Sequence, residues 1–340
     1  MFNFINSTKD SHLNTLPCKI PFINAEIALD GNVCTCCSTF LNIKTTENIV
    51  DNDFNEIWNS PTLNELRSRV LNGDYSMCRR DLCCSYTPCS SDDIPSDYKN
   101  GPKVIKLSYD SECNNTCITC RDCLKINTPE QNLLYDNIYL PKIINLAKNA
   151  EIIGLSGSGD PLFSKHSRNV IKELIKHYPK IKFNLYTNGY LLNEKTINDL
   201  GISNNLFLVA VSVDAATRET YRKILRRDAF NIIMKNLKYI SELKKQGKID
   251  TLMLNFVVHL MNYKEMADFV KLAKKFDAMA YFSTYTPWHT TEYDKQYDNV
   301  AVFEPKNKYY KDFVKILKNS VFNDKEHCLL EPRLQNLSDI

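Results

Sequence analysis

The chemistry in this sequence is carried by cysteine: 13 in 340 residues, all but Cys328 lying between Cys18 and Cys123. An odd number fits a disulfide framework poorly, whereas soft thiolates select zinc, copper(I) and iron–sulfur clusters. One loop is especially dense: Cys113-Asn-Asn-Thr-Cys117-Ile-Thr-Cys120 follows directly on the apolar run Val104–Tyr109 and Asp110. Three closely spaced thiolates can hold three irons of a cubane. The fourth iron then stays open for a small ligand, as a catalytic metal keeps a free position. Cys123 offers the same loop a second reading, a zinc site, because Cys117, Cys120 and Cys123 repeat at x2 spacing.

The elements that must position this loop fall into two regions. Residues 1–95 hold eight cysteines and one clear helical pattern, near Phe54 to Leu71, interrupted by Pro61. A polar linker follows at Ser90–Asp97. Beyond it, apolar strands alternate with amphipathic helices. Strands are expected at Val104–Tyr109, Ile152–Ser156, Lys182–Tyr186, Leu206–Val213, Thr251–Val258 and Met279–Tyr285. Helices are expected near 130–148, 166–178, 193–200, 218–245 and 263–276, and a connector with one more helix near Lys306–Asn319 ends the chain. Such alternation implies parallel strands with helical crossovers, in a barrel, a partial barrel or an open sheet, with loops at the strand C-termini as the place for a site.

Bulk properties narrow the class further. A hydrophobic share of 43%, a charged share of 24% and a net charge of +3 describe an ordinary globular chain with no polyanionic partner, so nucleic acid is not expected. Met1–Asp10 lacks a secretory pattern and no apolar run is long enough to span a bilayer. The expected location is therefore the cytoplasm, where thiols stay reduced.

The C-x3-C-x2-C loop after the first strand resembles the defining motif of the radical S-adenosylmethionine superfamily, and the resemblance extends over about residues 100–290. The second strand runs into Gly157-Ser158-Gly159-Asp160-Pro161, similar to the family's Gly-Gly-Glu-Pro element with Asp160 in place of glutamate. The third ends in Thr187-Asn188-Gly189, resembling the Thr-Asn-Gly turn, and the fourth in Ser212-Val213-Asp214, resembling Ser-x-Asp. Tyr221 and Phe230 keep the spacing of a Tyr-x3-Arg-x4-Phe stretch, but Leu225 takes the arginine position, with Arg226 and Arg227 next: a register shift or a lost contact. His259 and Asn262 follow the fifth strand in the family's manner. Thr119 stands where an aromatic residue is often found, and the ending Cys120-Arg121 looks like that of the subgroup with an auxiliary-cluster domain.

The resemblance implies an α/β fold, a partial (β/α)6 TIM-like barrel with a small N-terminal cysteine-rich domain. The implied division is 1–95 for the auxiliary domain, 96–290 for the barrel and 291–340 for a C-terminal connector and helix. It further implies a [4Fe-4S] cluster on Cys113, Cys117 and Cys120, and S-adenosylmethionine bound among Gly157, Gly159, Asp160, Asn188, Ser212 and Asp214. Reductive cleavage of that cosubstrate to a 5′-deoxyadenosyl radical is the implied reaction, with a reducing partner such as flavodoxin or ferredoxin. His259, Tyr186, Tyr281 and Tyr285, near strand ends, are candidates for handling substrate protons and equally for lining the barrel.

The N-terminal region resembles the SPASM domain, an auxiliary iron–sulfur module that here precedes the barrel instead of following it. Mapped by spacing, Cys18, Cys36, Cys78 and Cys83 match its ligands, leaving Cys34, Cys37, Cys84 and Cys89 for a second cluster or for exchange with their neighbours. A structural zinc module is the alternative, and either metal would support folding of a region with so few periodic apolar segments. The auxiliary cluster is expected to accept an electron from substrate, giving a net oxidation, or to shape the site or relay electrons. A small-molecule, sugar-like or peptide substrate is expected. Rival readings are an iron–sulfur electron carrier or sensor and a zinc-binding interaction protein. Cys328, Trp58 and Trp288 are expected to pack in cores.

Overall fold

The computed structural model describes residues 16–43, 47–80, 83, 85–155 and 158–338; Met1–Asp10, Cys84 and Gly157, which figure in the sequence reading, lie outside them. Nine strands form one mostly parallel sheet: β1 (Asn24–Ile27), β2 (Val33–Cys34), β3 (Val104–Leu107), β4 (Ile152–Leu155), β5 (Lys182–Thr187), β6 (Leu206–Ser212), β7 (Thr251–Val258), β8 (Met279–Thr284) and β9 (Cys328–Leu330). Their order is β2-β1-β3-β4-β5-β6-β7-β8-β9. The pair β1/β2 is an antiparallel hairpin, and β1 pairs in parallel with β3, Asn24 opposite Val104 and Ile27 opposite Leu107.

The six expected strands are β3 to β8. The other three are too short for a pattern to declare itself. β1 and β2 come from the cysteine-rich region, for which no strand was expected, and β9 comes from the C-terminal segment, which also ends in a helix at Pro332–Ser338. Two expected helices are divided. The pattern near 54–71 becomes Phe54–Trp58 and Pro61–Leu71, the second opened by Pro61 in its first turn and by Ser60, whose hydroxyl accepts from Leu63 N. The stretch 218–245 becomes Arg218–Leu225 and Phe230–Lys245, the first ending on Arg226 at φ +51°.

The chain forms two compact units. The first comprises 1–111, 127–159 and 164–183, and the second 112–126, 160–163 and 184–340. In the first, the helices 54–58 and 61–71 bury Phe54, Ile57, Trp58, Leu63, Leu66 and Val70. Arg67 lies among them, its guanidinium over Trp58 at 4.2 Å and donating to the Pro21 and Trp58 carbonyls. In the second, β7 alternates strictly, with Leu252, Leu254, Phe256 and Val258 buried. Phe256 meets Phe269 at 4.8 Å and Phe282 at 5.2 Å between ring centroids, and each such side chain contributes roughly 1.5–3 kcal/mol of burial. Cys328 and Trp58 are buried as expected. Trp288 is not: it stands 60% exposed in the segment after β8.

Candidate metal and cosubstrate site

The three-cysteine loop, 112–126, lies wholly in the second unit. Cys113 N donates to Lys125 O and closes the loop at its base. Inside it, Cys120 N and Arg121 N both donate to Cys117 O, a tight turn that carries Arg121 back along the loop. Neighbouring elements pin it. Ile118 N donates to Ile224 O, Thr290 Oγ1 to Cys120 O at 2.7 Å and Glu292 N to Asp122 at 2.8 Å, and Arg226 pairs with Asp122 at 3.0 Å. Cys113, Cys117 and Cys120 are partly buried, while Cys123 is exposed at the rim.

Burial raises the Cys117 thiol well above its ordinary value, and the charges of Asp214, Cys120 and Cys113 add to the shift. Burial likewise raises Cys113. These thiols therefore hold their protons until a metal displaces them.

Asp160 does not reach into open space. Its carboxylate is 2% exposed and accepts four hydrogen bonds: from Leu162 N and Phe163 N, and at 2.8 Å from Thr187 Oγ1 and Asn188 N. It thus ties its own turn to the Thr-Asn-Gly turn. Asn188 passes the connection on, donating through Nδ2 to Asn114 Oδ1 at 2.8 Å and lying 4.0 Å from the Cys113 sulfur. Gly189 sits at φ +78°, and a Cβ there would meet Val211 at 2.7 Å, so only glycine fits this corner.

Ser212 ends β6 half-buried, opposite Asn255 on β7. Asp214 stands at φ +60°, accepts from Val257 N at 2.8 Å and is pushed up to about 7 by burial. Leu225 is core, Arg226 is left-handed, and Arg227 reaches the loop, donating to Asn114 O at 2.7 Å over the Tyr190 ring. Around these groups several buried polar atoms have no partner: both amide atoms of Asn115, the Tyr221 hydroxyl, Arg227 Nη1 and Asn255 Oδ1. The charges of Cys117, Arg227 and Asp214 all act on Tyr221, so the orphaned groups gather beside the thiols. Buried polar atoms left in this way call for a polar ligand.

His259 is fully buried after β7, with Nδ1 2.7 Å from the Tyr293 hydroxyl, and Tyr285 donates to Asp294. The Tyr285 hydroxyl is thus engaged within the protein. Asp294, which accepts from Thr290 N and Thr291 N and so holds the segment that pins the loop, was not singled out from sequence. No motif marks it.

In the first unit the cysteines are laced by backbone. Cys18 bridges to Pro88 and accepts from Thr87 N at 3.5 Å, Leu41 bridges to Cys78, and Cys83 N donates to Arg79 O. Gly31, at φ +81°, turns the β1–β2 hairpin, and a Cβ there would meet the Tyr139 hydroxyl at 2.5 Å. The thiols Cys18, Cys36, Cys78 and Cys83 act electrostatically on one another in every pair, and burial with these charges raises Cys18 to about 11. Cys34 is enclosed in the local core, while Cys37 acts on Cys83 and Cys89 lies against Pro17 O.

Either thiol set has the soft donors that an iron–sulfur cluster or zinc accepts. Among the described residues no three cysteine sulfurs lie within 4.8 Å; the only such trio is Asp324, Glu326 and His327, where Lys274 already meets Asp324 at 2.5 Å.

Comparison with known proteins agrees. Residues 112–273 match the model of the radical SAM superfamily, and residues 18–85 that of the SPASM iron–sulfur cluster-binding domain. The chain is a radical S-adenosylmethionine protein whose SPASM domain comes first, and its cofactors are a [4Fe-4S] cluster, an auxiliary cluster and S-adenosylmethionine. Among curated relatives, a GTP 3′,8-cyclase of Nautilia profundicola is 27% identical over 174 residues, 50% of this chain and 52% of its own length. The FeMo cofactor biosynthesis protein NifB of Methanocaldococcus jannaschii is 29% identical over 132 residues, 36% of this chain and 43% of its own. The chain spans about half the length of the curated relatives it matches. Among solved structures, Streptococcus suis SuiB bound to S-adenosylmethionine aligns over 81% of this chain and 62% of its own, with 16% identity and a TM-score of 0.46. No helix among the described residues is long and apolar enough to cross a membrane.

Proposed function

We propose that the chain is an enzyme that reductively cleaves S-adenosylmethionine at a cluster held by Cys113, Cys117 and Cys120, and abstracts hydrogen from a small-molecule, sugar-like or short peptide substrate. The observation that carries this reading is the presence of unpartnered buried polar groups, Asn115, Tyr221, Arg227 and Asn255, in the unit that holds the three-cysteine loop. Bound there, cluster and cosubstrate supply a 5′-deoxyadenosyl radical. The protein's own residues position and exclude. Asp160 and Asn188 hold two strand-end turns against the loop. Ser212 and Asp214 line the cosubstrate pocket, and Arg227 takes the place of the arginine absent at 225.

Cys18, Cys36, Cys78 and Cys83 would hold the auxiliary cluster, which would supply an electron acceptor or relay, or would shape the site. The domain division remains 1–95, 96–290 and 291–340, the location cytoplasmic, and the electron source a flavodoxin- or ferredoxin-type partner.

The test is anaerobic reconstitution, dithionite reduction and assay for 5′-deoxyadenosine, with iron counted on the same sample. The wild type should form product and carry more iron than one cubane holds. A variant with Cys113, Cys117 and Cys120 all changed to alanine should form none while keeping the auxiliary iron. Product from that variant would assign the chemistry to another site, and a colourless zinc protein would remove the reading altogether.

A further inference from the structure

Of the three loop sulfurs, Cys120 has a cation on it. Arg121 Nε and Nη2 each lie 3.4 Å from Cys120 Sγ, a two-pronged contact between a guanidinium and a prospective thiolate ligand. The approach is built into the loop. Arg121 N and Cys120 N share the Cys117 carbonyl, so the turn folds the arginine beside its neighbour's sulfur. Both flanks are fixed, Cys120 O by Thr290 Oγ1 and Asp122 by Arg226 and Glu292 N. The side chain is half-buried, where a charge is less screened than at the surface.

We infer that Arg121 is a positioning residue for electron transfer: its forked contact with Cys120 raises the reduction potential of the cluster on Cys113, Cys117 and Cys120. The inference rests on the proposed cluster assignment. One-electron reduction, by an external low-potential donor, adds one negative charge to cluster and thiolates. A guanidinium that never deprotonates, held against one of those sulfurs, stabilises the reduced form more than the oxidised one. Hydrogen bonds to ligating sulfur act in the same direction. The Arg121 charge also acts on Cys113 and Cys117, but its hydrogen-bond contact is with Cys120, so the effect centres there.

The experiment is an anaerobic redox titration of the reconstituted full chain followed by electron paramagnetic resonance. The loop cluster is identified as the signal missing from the triple-alanine variant. In Arg121→Leu its potential should fall by at least about 59 mV, a tenfold loss in the one-electron reduction equilibrium. Arg121→Lys, which keeps a charge without the fork, should shift it less, and the auxiliary signal should stay in place. Arg121→Gln serves if the leucine variant loses iron, and its potential should also fall. An unchanged potential in a variant with wild-type iron content would overturn the inference. So would weaker S-adenosylmethionine binding with no change in potential, which would make Arg121 a cosubstrate ligand. A wild type with no loop-cluster signal would instead sink the cluster assignment itself.

Discussion

His259 shows what burial without a full set of partners does to one residue. Its Nδ1 faces the Tyr293 hydroxyl, its Nε2 has no partner, and Tyr285 and Asp294 complete the polar surroundings. Burial lowers the imidazole to about 3, so the folded protein keeps it neutral. Because the folded value lies below the unfolded one of about 6.5, its contribution to stability is complete above that pH and is lost as pH falls toward 3. Between pH 6.5 and 5.5 the loss should be roughly 1 kcal/mol. Urea unfolding of metal-free wild type and His259→Phe at the two pH values measures it: the stability gap between them should narrow by that amount on acidification. A gap independent of pH would mean that the ring is not held neutral. The sequence offered His259 as a residue near a strand end and left its role open, because burial and an unfilled hydrogen bond are tertiary properties. The same holds for Asp160, whose type follows from a motif but whose four bonds do not.

At the scale of elements, the segment after β8 acts as a strap on the cysteine loop. Asp294 gathers Thr290 N, Thr291 N and the Tyr285 hydroxyl, and the turn so formed sends Thr290 Oγ1 to Cys120 O and Glu292 N to Asp122. Asp294→Ala removes the organiser without touching a thiol. Each hydrogen bond is worth about 1 kcal/mol, so loosening the strap should speed iron release from the loop to a chelator by about tenfold. Iron loss followed by absorbance, against the triple-alanine variant as the auxiliary-only baseline, reads this directly. An unaltered rate would mean that the strap does not hold the loop. Long elements with clean periodicity were legible: Thr251–Val258 is the strand its alternation describes. What pattern did not disclose were β1, β2 and β9, two to four residues each, and the break at Arg226, where a left-handed residue follows an uninterrupted helical periodicity. Strap and loop are 170 residues apart at their contact, and no local pattern encodes such a pairing.

For the molecule as a whole, the sequence suggested that the cysteine-rich region depends on metal to fold, and its architecture divides that dependence. The helix Pro61–Leu71 buries Leu63, and Arg67 bonded to two carbonyls, next in sequence to the buried Ile57 and Trp58, while its Leu66 and Val70 share a core with Cys18, Phe22, Cys34 and Leu41. The segments near 33–42 and 76–89 add only Val33, Cys34 and Leu41 as buried apolar side chains, with Met77, Cys78 and Tyr86 partly buried. They are short bridges and turns, and the thiols Cys18, Cys36, Cys78 and Cys83 are brought together so that they repel once deprotonated, Arg80 offsetting this in part at Cys78 and Cys83. Metal ligation replaces those protons and closes the segments on one another, so its free energy becomes folding free energy for them and much less so for the helix. Hydrogen exchange on iron-free and reconstituted protein should therefore differ by segment. Amides such as Asn42 N and Arg79 N, bonded across the cysteine segments to Met77 O and Phe40 O, should lose protection by at least about tenfold when iron is removed. Amides inside 61–71 should change little. Equal loss in both would mean that the helical core cannot stand without the cluster, and no loss in either would mean that the thiols are not holding one.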